Sequence, residues 1–149
     1  MRWLFAIALL VGCANQEVKG SLSQVYPLGF DDVRIRLYSS SLSIEYVKND
    51  GSVPIRVSVD RSALDSGGRI DLLENGDITG RTSEDREIPR FSEGDIRVRG
   101  FRPEDGVSVE GSWDAEFPVN DTDTLGLSGK FSGSIEVVSD PGPPPPGRE

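Results

Sequence analysis

The chain has 149 residues, with 16 basic and 25 acidic side chains for a net charge of −9. That balance argues against a nucleic-acid partner and against charge-driven adhesion to anionic lipid, while the length suits one domain with a real core. Histidine is absent and Cys13 is the only cysteine, so the usual triad and thiol mechanisms have no base or nucleophile, and without a disulfide the fold must rest on packing.

In chain order, the first element is a single basic residue, Arg2, followed by an apolar run from Trp3 to Val11. The run is too short to span a bilayer but has the length of an export-signal core. It ends in Leu10-Val11-Gly12-Cys13, an aliphatic residue and two smaller ones before a cysteine. This resembles the lipobox of bacterial lipoproteins, and the likeness covers residues 1–13 only. The resemblance implies a signal peptide over 1–12, cleavage between Gly12 and Cys13, and lipidation of Cys13 by diacylglycerol on sulfur, usually with a further acyl chain such as palmitate on nitrogen. Two or three chains anchor a protein stably where one does not. Ala14 after the cysteine implies a cell envelope protein sorted to the outer membrane. Removing residues 1–12 takes Arg2 away and shifts the net charge from −9 to −10. Residues 13–17 then form a short lipid tether, which lets the domain rise roughly 15 Å from the bilayer.

Residues 18–138 read as one β domain, because the apolar pattern has period two almost everywhere. Val18–Val25 is expected as the first strand, ending before Pro27. Around Asp50-Gly51, a favoured type I′ loop, Leu42–Lys48 and Val53–Asp60 close with Tyr46 opposite Ile55, Ile44 opposite Val57 and Leu42 opposite Val59. The other face then sets Glu45 against Arg56. Folding Val33–Tyr38 back over Ser39-Ser40-Ser41 sets Leu37 against Leu42, Ile35 against Ile44, Val33 against Tyr46 and Arg34 against Glu45.

The middle of the chain is expected to carry a hairpin, Arg69–Leu73 with Asp77–Arg81, around Asn75-Gly76. A short strand over Ile88–Phe91 follows, with loops at 61–68 and 82–87 and a helical turn near Ser62–Asp65. The C-terminal half repeats the earlier logic. Two long alternating runs, 107–117 and 125–137, flank a loop at 118–124. Their register places Trp113 over Gly129, Phe131 over Gly111 and Val109 over Gly133. Slipping it by two residues would set glycine against glycine, so side chains covering glycines decide it. A turn at 103–106 brings Val98 opposite Gly111, Ile96 opposite Trp113 and Arg99 opposite Glu110. Ser139–Glu149, rich in proline, is expected to be an extended, disordered tail.

The fold class expected is therefore all-β: two antiparallel meanders burying their apolar faces as a sandwich or a flattened up-and-down barrel of about eight to ten strands. Chemistry has little to stand on. The residues three before Lys19, Lys48 and Lys130 are Gln16, Glu45 and Leu127, which rules out a Ser-x-x-Lys arrangement, and there is no Gly-rich phosphate loop. Glu45, Glu110, Asp114 and Glu116 fall on the phase assigned to solvent, which disfavours a carboxylate-based glycan hydrolase. In Asn120-Asp121-Thr122-Asp123-Thr124, Asp121 and Asp123 are weak calcium candidates, since two carboxylates fall short of six to eight oxygens. Trp113 and Phe131 would line a cavity if the chain were an apolar-ligand carrier. The leading expectation is a non-enzymatic lipoprotein without cofactor, held to the membrane through Cys13. It would act as a structural or protein-binding accessory in the envelope.

Overall fold

The computed structural model describes residues 16–65 and 67–138. Nine strands dominate it: β1 (Glu17–Lys19), β2 (Asp32–Leu37), β3 (Ser41–Val47), β4 (Ile55–Asp60), β5 (Arg69–Asp71), β6 (Gly76–Gly80), β7 (Glu93–Arg99), β8 (Ser108–Pro118) and β9 (Thr124–Val137). Three single helical turns interrupt them: α1 (Leu22–Val25), α2 (Arg61–Leu64) and α3 (Leu72–Asn75). The strands run in the order β5-β7-β8-β9-β2-β3-β4-β6, with β1 added to β9. The protein is all-β, a nearly closed mixed sheet wrapped around one core.

Both meanders form in the expected registers. In the first, Ile35 lies across from Ile44 and Ile44 from Val57, with Tyr46 across from Ile55. In the second, Ile96 faces Trp113, Trp113 faces Gly129 and Phe131 faces Gly111. A methyl group at Gly129 would collide with the Trp113 indole, and one at Gly111 would lie 2.5 Å from Phe131 Cζ. The rings therefore occupy the space that the glycines leave.

The two meanders are joined where β9 pairs with β2. β9 runs antiparallel to β8 and β1 but parallel to β2, with Ile35 beside Ile135 and Leu37 beside Val137. This corrects the purely antiparallel expectation. At 14 residues β9 outruns β1, and its open backbone edge beyond Lys130 is completed by β2. Unpaired amides there would be costly.

Four local expectations fail for identifiable reasons. The first strand is only β1, because Gly20 adopts φ +142° where it passes against the backbone of Gly126. The chain then turns into α1, whose Leu22 is fully buried. The hairpin at Asn75-Gly76 does not exist. Asp71 caps α3 by accepting from the Leu73 amide at 2.8 Å, and Leu72 is buried behind it. β5 then pairs with β7 while β6 pairs with β4, so the supposed hairpin partners are the two ends of the open sheet, joined by α3. Ile88–Phe91 forms no strand; Pro89 has no amide to offer a ladder, and Phe91 packs on Phe117 instead with ring centroids 6.4 Å apart. At the Asp50-Gly51 tip only Gly51 has positive φ, and the Lys48 amide bonds to the Ser52 carbonyl, so the turn is not the type I′ expected.

Candidate interaction surface

Gly12 and Cys13, the expected cleavage and lipidation positions, lie outside the described residues. The calcium candidates Asp121 and Asp123 lie in the exposed loop between β8 and β9. Asn120 Oδ1 accepts from the Thr122 and Asp123 amides at 2.9 and 2.8 Å, and Asn120 Nδ2 donates to Asp123 Oδ2 at 2.9 Å. Asn120 thus makes an exposed Asx turn, to which Asp123 adds one acceptor. Among the described residues, no three acidic side chains converge as metal ligands.

The inward positions that a carrier would line with ligand are filled by side chains. Tyr46, Trp113, Phe117 and Phe131 are each under 2 % exposed. Tyr46 meets Phe30 edge-on at 4.9 Å between centroids and Trp113 at 6.2 Å. Polar atoms in this core are paired across the two meanders. Trp113 Nε1 donates to Tyr46 Oη at 3.0 Å, and that hydroxyl donates to the Lys130 carbonyl at 2.9 Å. Burial pushes the Tyr46 phenol well above its ordinary pKa, a shift opposed in part by the Trp113 donor.

Glu45 contradicts the solvent-phase assignment. Its phase is the outward one, since Ile44 and Tyr46 on either side are fully buried, yet Glu45 itself is only 2 % exposed. The faces are not inverted. β3 is central and flanked by arginines on both sides: Arg56 Nη2 donates to Glu45 Oε2 at 2.8 Å and Arg36 Nε lies 3.7 Å from Oε1. Arg36 is shared with Glu136 at 3.6 Å, and its guanidinium is held above its usual range by hydrogen bonding to Tyr38 and by the two carboxylates, against a desolvation cost. Long side chains folding over a shorter one bury it without any additional layer of structure.

The remaining carboxylates stay on the surface as expected, but the register gathers them. On the outward face of the β5-β7-β8-β9-β1 layer, Asp71 lies beside Asp95 and Asp95 beside Asp114. The next row sets Glu93 beside Glu116. Glu93, Asp95, Asp114 and Glu116 line one open groove of about 380 Å³, whose wall includes Gly94 and Gly126. Two residues along the strands in the other direction, Arg69 lies beside Arg97 and Lys130 occupies the same row. Sequence reasoning missed this banding although it had the β7–β8 register. Once Ile96 faces Trp113, Asp95 must face Asp114. Among these residues the ion pair within 4.0 Å is Arg69–Asp95, at 3.5 Å.

No protein-family model matches this chain, and neither does any curated protein or solved structure.

Proposed function

We propose that this protein is a lipid-anchored lipoprotein of the bacterial envelope, sorted to the outer membrane, whose β domain works without catalysis as a structural or protein-binding accessory close to the bilayer. The observation that carries the reading is Leu10-Val11-Gly12-Cys13 behind an apolar run, with only Ala14, Asn15 and Gln16 between Cys13 and β1. β1 is fastened to β9 through three residue pairs, and Gln16 Nε2 donates to the Ser132 carbonyl at 2.9 Å. A tether of three residues reaches roughly 10 Å, so an anchored domain stays beside the membrane.

The binding role is supported by the character of the surface. Its most distinctive feature is charge ordered by the strand register. The carboxylates that would have to serve a hydrolase are in the exposed groove, where Glu93, Asp114 and Glu116 are solvated and Asp95 is drawn to Arg69. The aromatic core leaves the carrier reading without a comparable observation in its favour.

Mass spectrometry of the mature N-terminus decides the anchor. The expected species begins at Cys13 and carries the mass of a diacylglycerol, and Cys13→Ser releases the protein from membranes or leaves the precursor uncleaved. Cleavage elsewhere with a free thiol at Cys13 would overturn the proposal. Hydrolysis of an envelope glycan by the purified chain, lost in Glu116→Gln, would overturn the non-catalytic part.

A further inference from the structure

We infer that the outward face of the β5-β7-β8-β9-β1 layer is a self-association surface, and that its occupant is a second copy of this chain docked face to face across a two-fold axis. The inference starts from an unfavourable arrangement. Like charges directly across a ladder destabilise a sheet, yet the register sets Arg69 beside Arg97, Asp71 beside Asp95, Asp95 beside Asp114 and Glu93 beside Glu116. Along the strands, a basic row of Arg69 and Arg97 adjoins two acidic rows, first Asp71, Asp95 and Asp114 and then Glu93 and Glu116, while Arg99 faces Glu110 on the far side of the basic row.

Such a face is complementary to its own rotated copy. An axis lying along the ladder, midway between the arginine row and the aspartate row, reverses the strand direction of the second copy but keeps every strand over its counterpart. Residues equally distant from the axis then meet. On β5, Arg69 faces Asp71 of the second copy. On β7, Arg97 faces Asp95 and Arg99 faces Glu93, while on β1 Glu17 faces Lys19. Two-fold symmetry forms each of these contacts twice. Only β8 opposes the pattern, with Glu110 over Glu116. The axis position is unique: moving it one residue along β7 stacks Asp95 on Asp95 or Arg97 on Arg97.

Five strands at about 4.8 Å spacing and four rows about 6.8 Å apart give a footprint of at most roughly 20 by 20 Å, which suits a weak, reversible dimer. Because every strand stays over its counterpart, both β1 strands sit at the same end of the pair. Two anchors of the kind proposed above would then reach one bilayer, although the inference itself does not depend on anchoring.

The test is sedimentation equilibrium of the full chain in mild detergent. The unaltered chain is expected to dimerise at low salt and to dissociate at 1 M salt, where the screening length falls to about 3 Å. One variant, Asp71→Arg with Asp95→Arg, makes the β5 and β7 positions of the two central rows wholly basic; the other, Arg69→Asp with Arg97→Asp, makes them wholly acidic. Each alone is expected to lose on the order of a hundredfold in self-affinity, and an equimolar mixture to form a one-to-one heterodimer tighter than the parent. Arg97→Ser, a milder change at an exposed position, weakens the dimer by about tenfold if either reversal fails to fold. A monomeric parent chain, a dimer that survives the reversals, or a mixture that stays monomeric while both partners keep the parent circular dichroism would overturn the inference.

Discussion

Tyr46 does two things at once at the centre of the molecule. Its ring fills the core between Phe30 and Trp113, and its hydroxyl joins the Trp113 indole to the Lys130 carbonyl. Since burial raises the phenol's pKa in the folded chain, the sign of its pH dependence follows directly. The stabilisation is complete below the unfolded value of about 10 and is lost as pH rises above it, because only the unfolded chain releases that proton easily. In an absorbance titration, Tyr46 is expected to ionise only together with alkaline unfolding. Tyr46→Phe should abolish that step while lowering stability near neutral pH by about 1–2 kcal/mol, since Trp113 Nε1 and the Lys130 carbonyl both lose a partner. Glu45 teaches a different lesson at this scale. Alternation assigns it correctly to the outward phase, but burial depends on the arginines that flank it from β2 and β4. Period two states which way a side chain points and says nothing of what lies over it.

Among the elements, β9 organises the rest. It carries β8 along one edge and both β1 and β2 along the other, and its Gly129 lets the Trp113 ring of β8 pack down onto backbone. The β8–β9 register was legible because a bare glycine needs cover and only one alignment supplies it on every inward pair. Gly129→Ala tests that directly. The added methyl group would enter the space of the Trp113 indole, so the variant is expected to lose about 1–3 kcal/mol in urea unfolding. A wild-type midpoint would mean that the indole can move aside. The Asn75-Gly76 signal was misread for a comparable local reason. Gly76 is extended at φ −177°, and it is small because it passes against the Ser58 carbonyl of β4, not because a hairpin turns there.

At the scale of the whole molecule, closure depends on α3. The sheet ends at β5 and β6, and these consecutive strands are joined by one helical turn whose Leu72 is fully buried against the core. Leu72→Ala is expected to cost about 2–5 kcal/mol. Its effect on amide exchange should be uneven, fastest in Arg69–Asp71 and Gly76–Gly80 and slower in β8 and β9. Uniform acceleration would show that the seam is not a separate weak point.

The sequence by itself determined the class of fold, the two three-stranded registers and the aromatic cover of the glycines. These follow from period-two alternation and from contacts between neighbouring strands, which short-range geometry dictates. Residues 1–13 carry the likeness on which the proposed anchoring rests, and that segment lies outside the described structure. Only the tertiary structure decided that β2 joins β9 in parallel, that β5 and β6 part to opposite ends of the sheet, and that Glu45 is enclosed. Each of these pairs residues far apart in the chain or depends on what covers a face, and the free energy of those arrangements is set by the closure of the whole sheet. The bands of charge stand between the two cases. Their residues were on the page once β7 was aligned with β8, but the face became continuous only when β5 crossed over to β7 and β1 settled on β9.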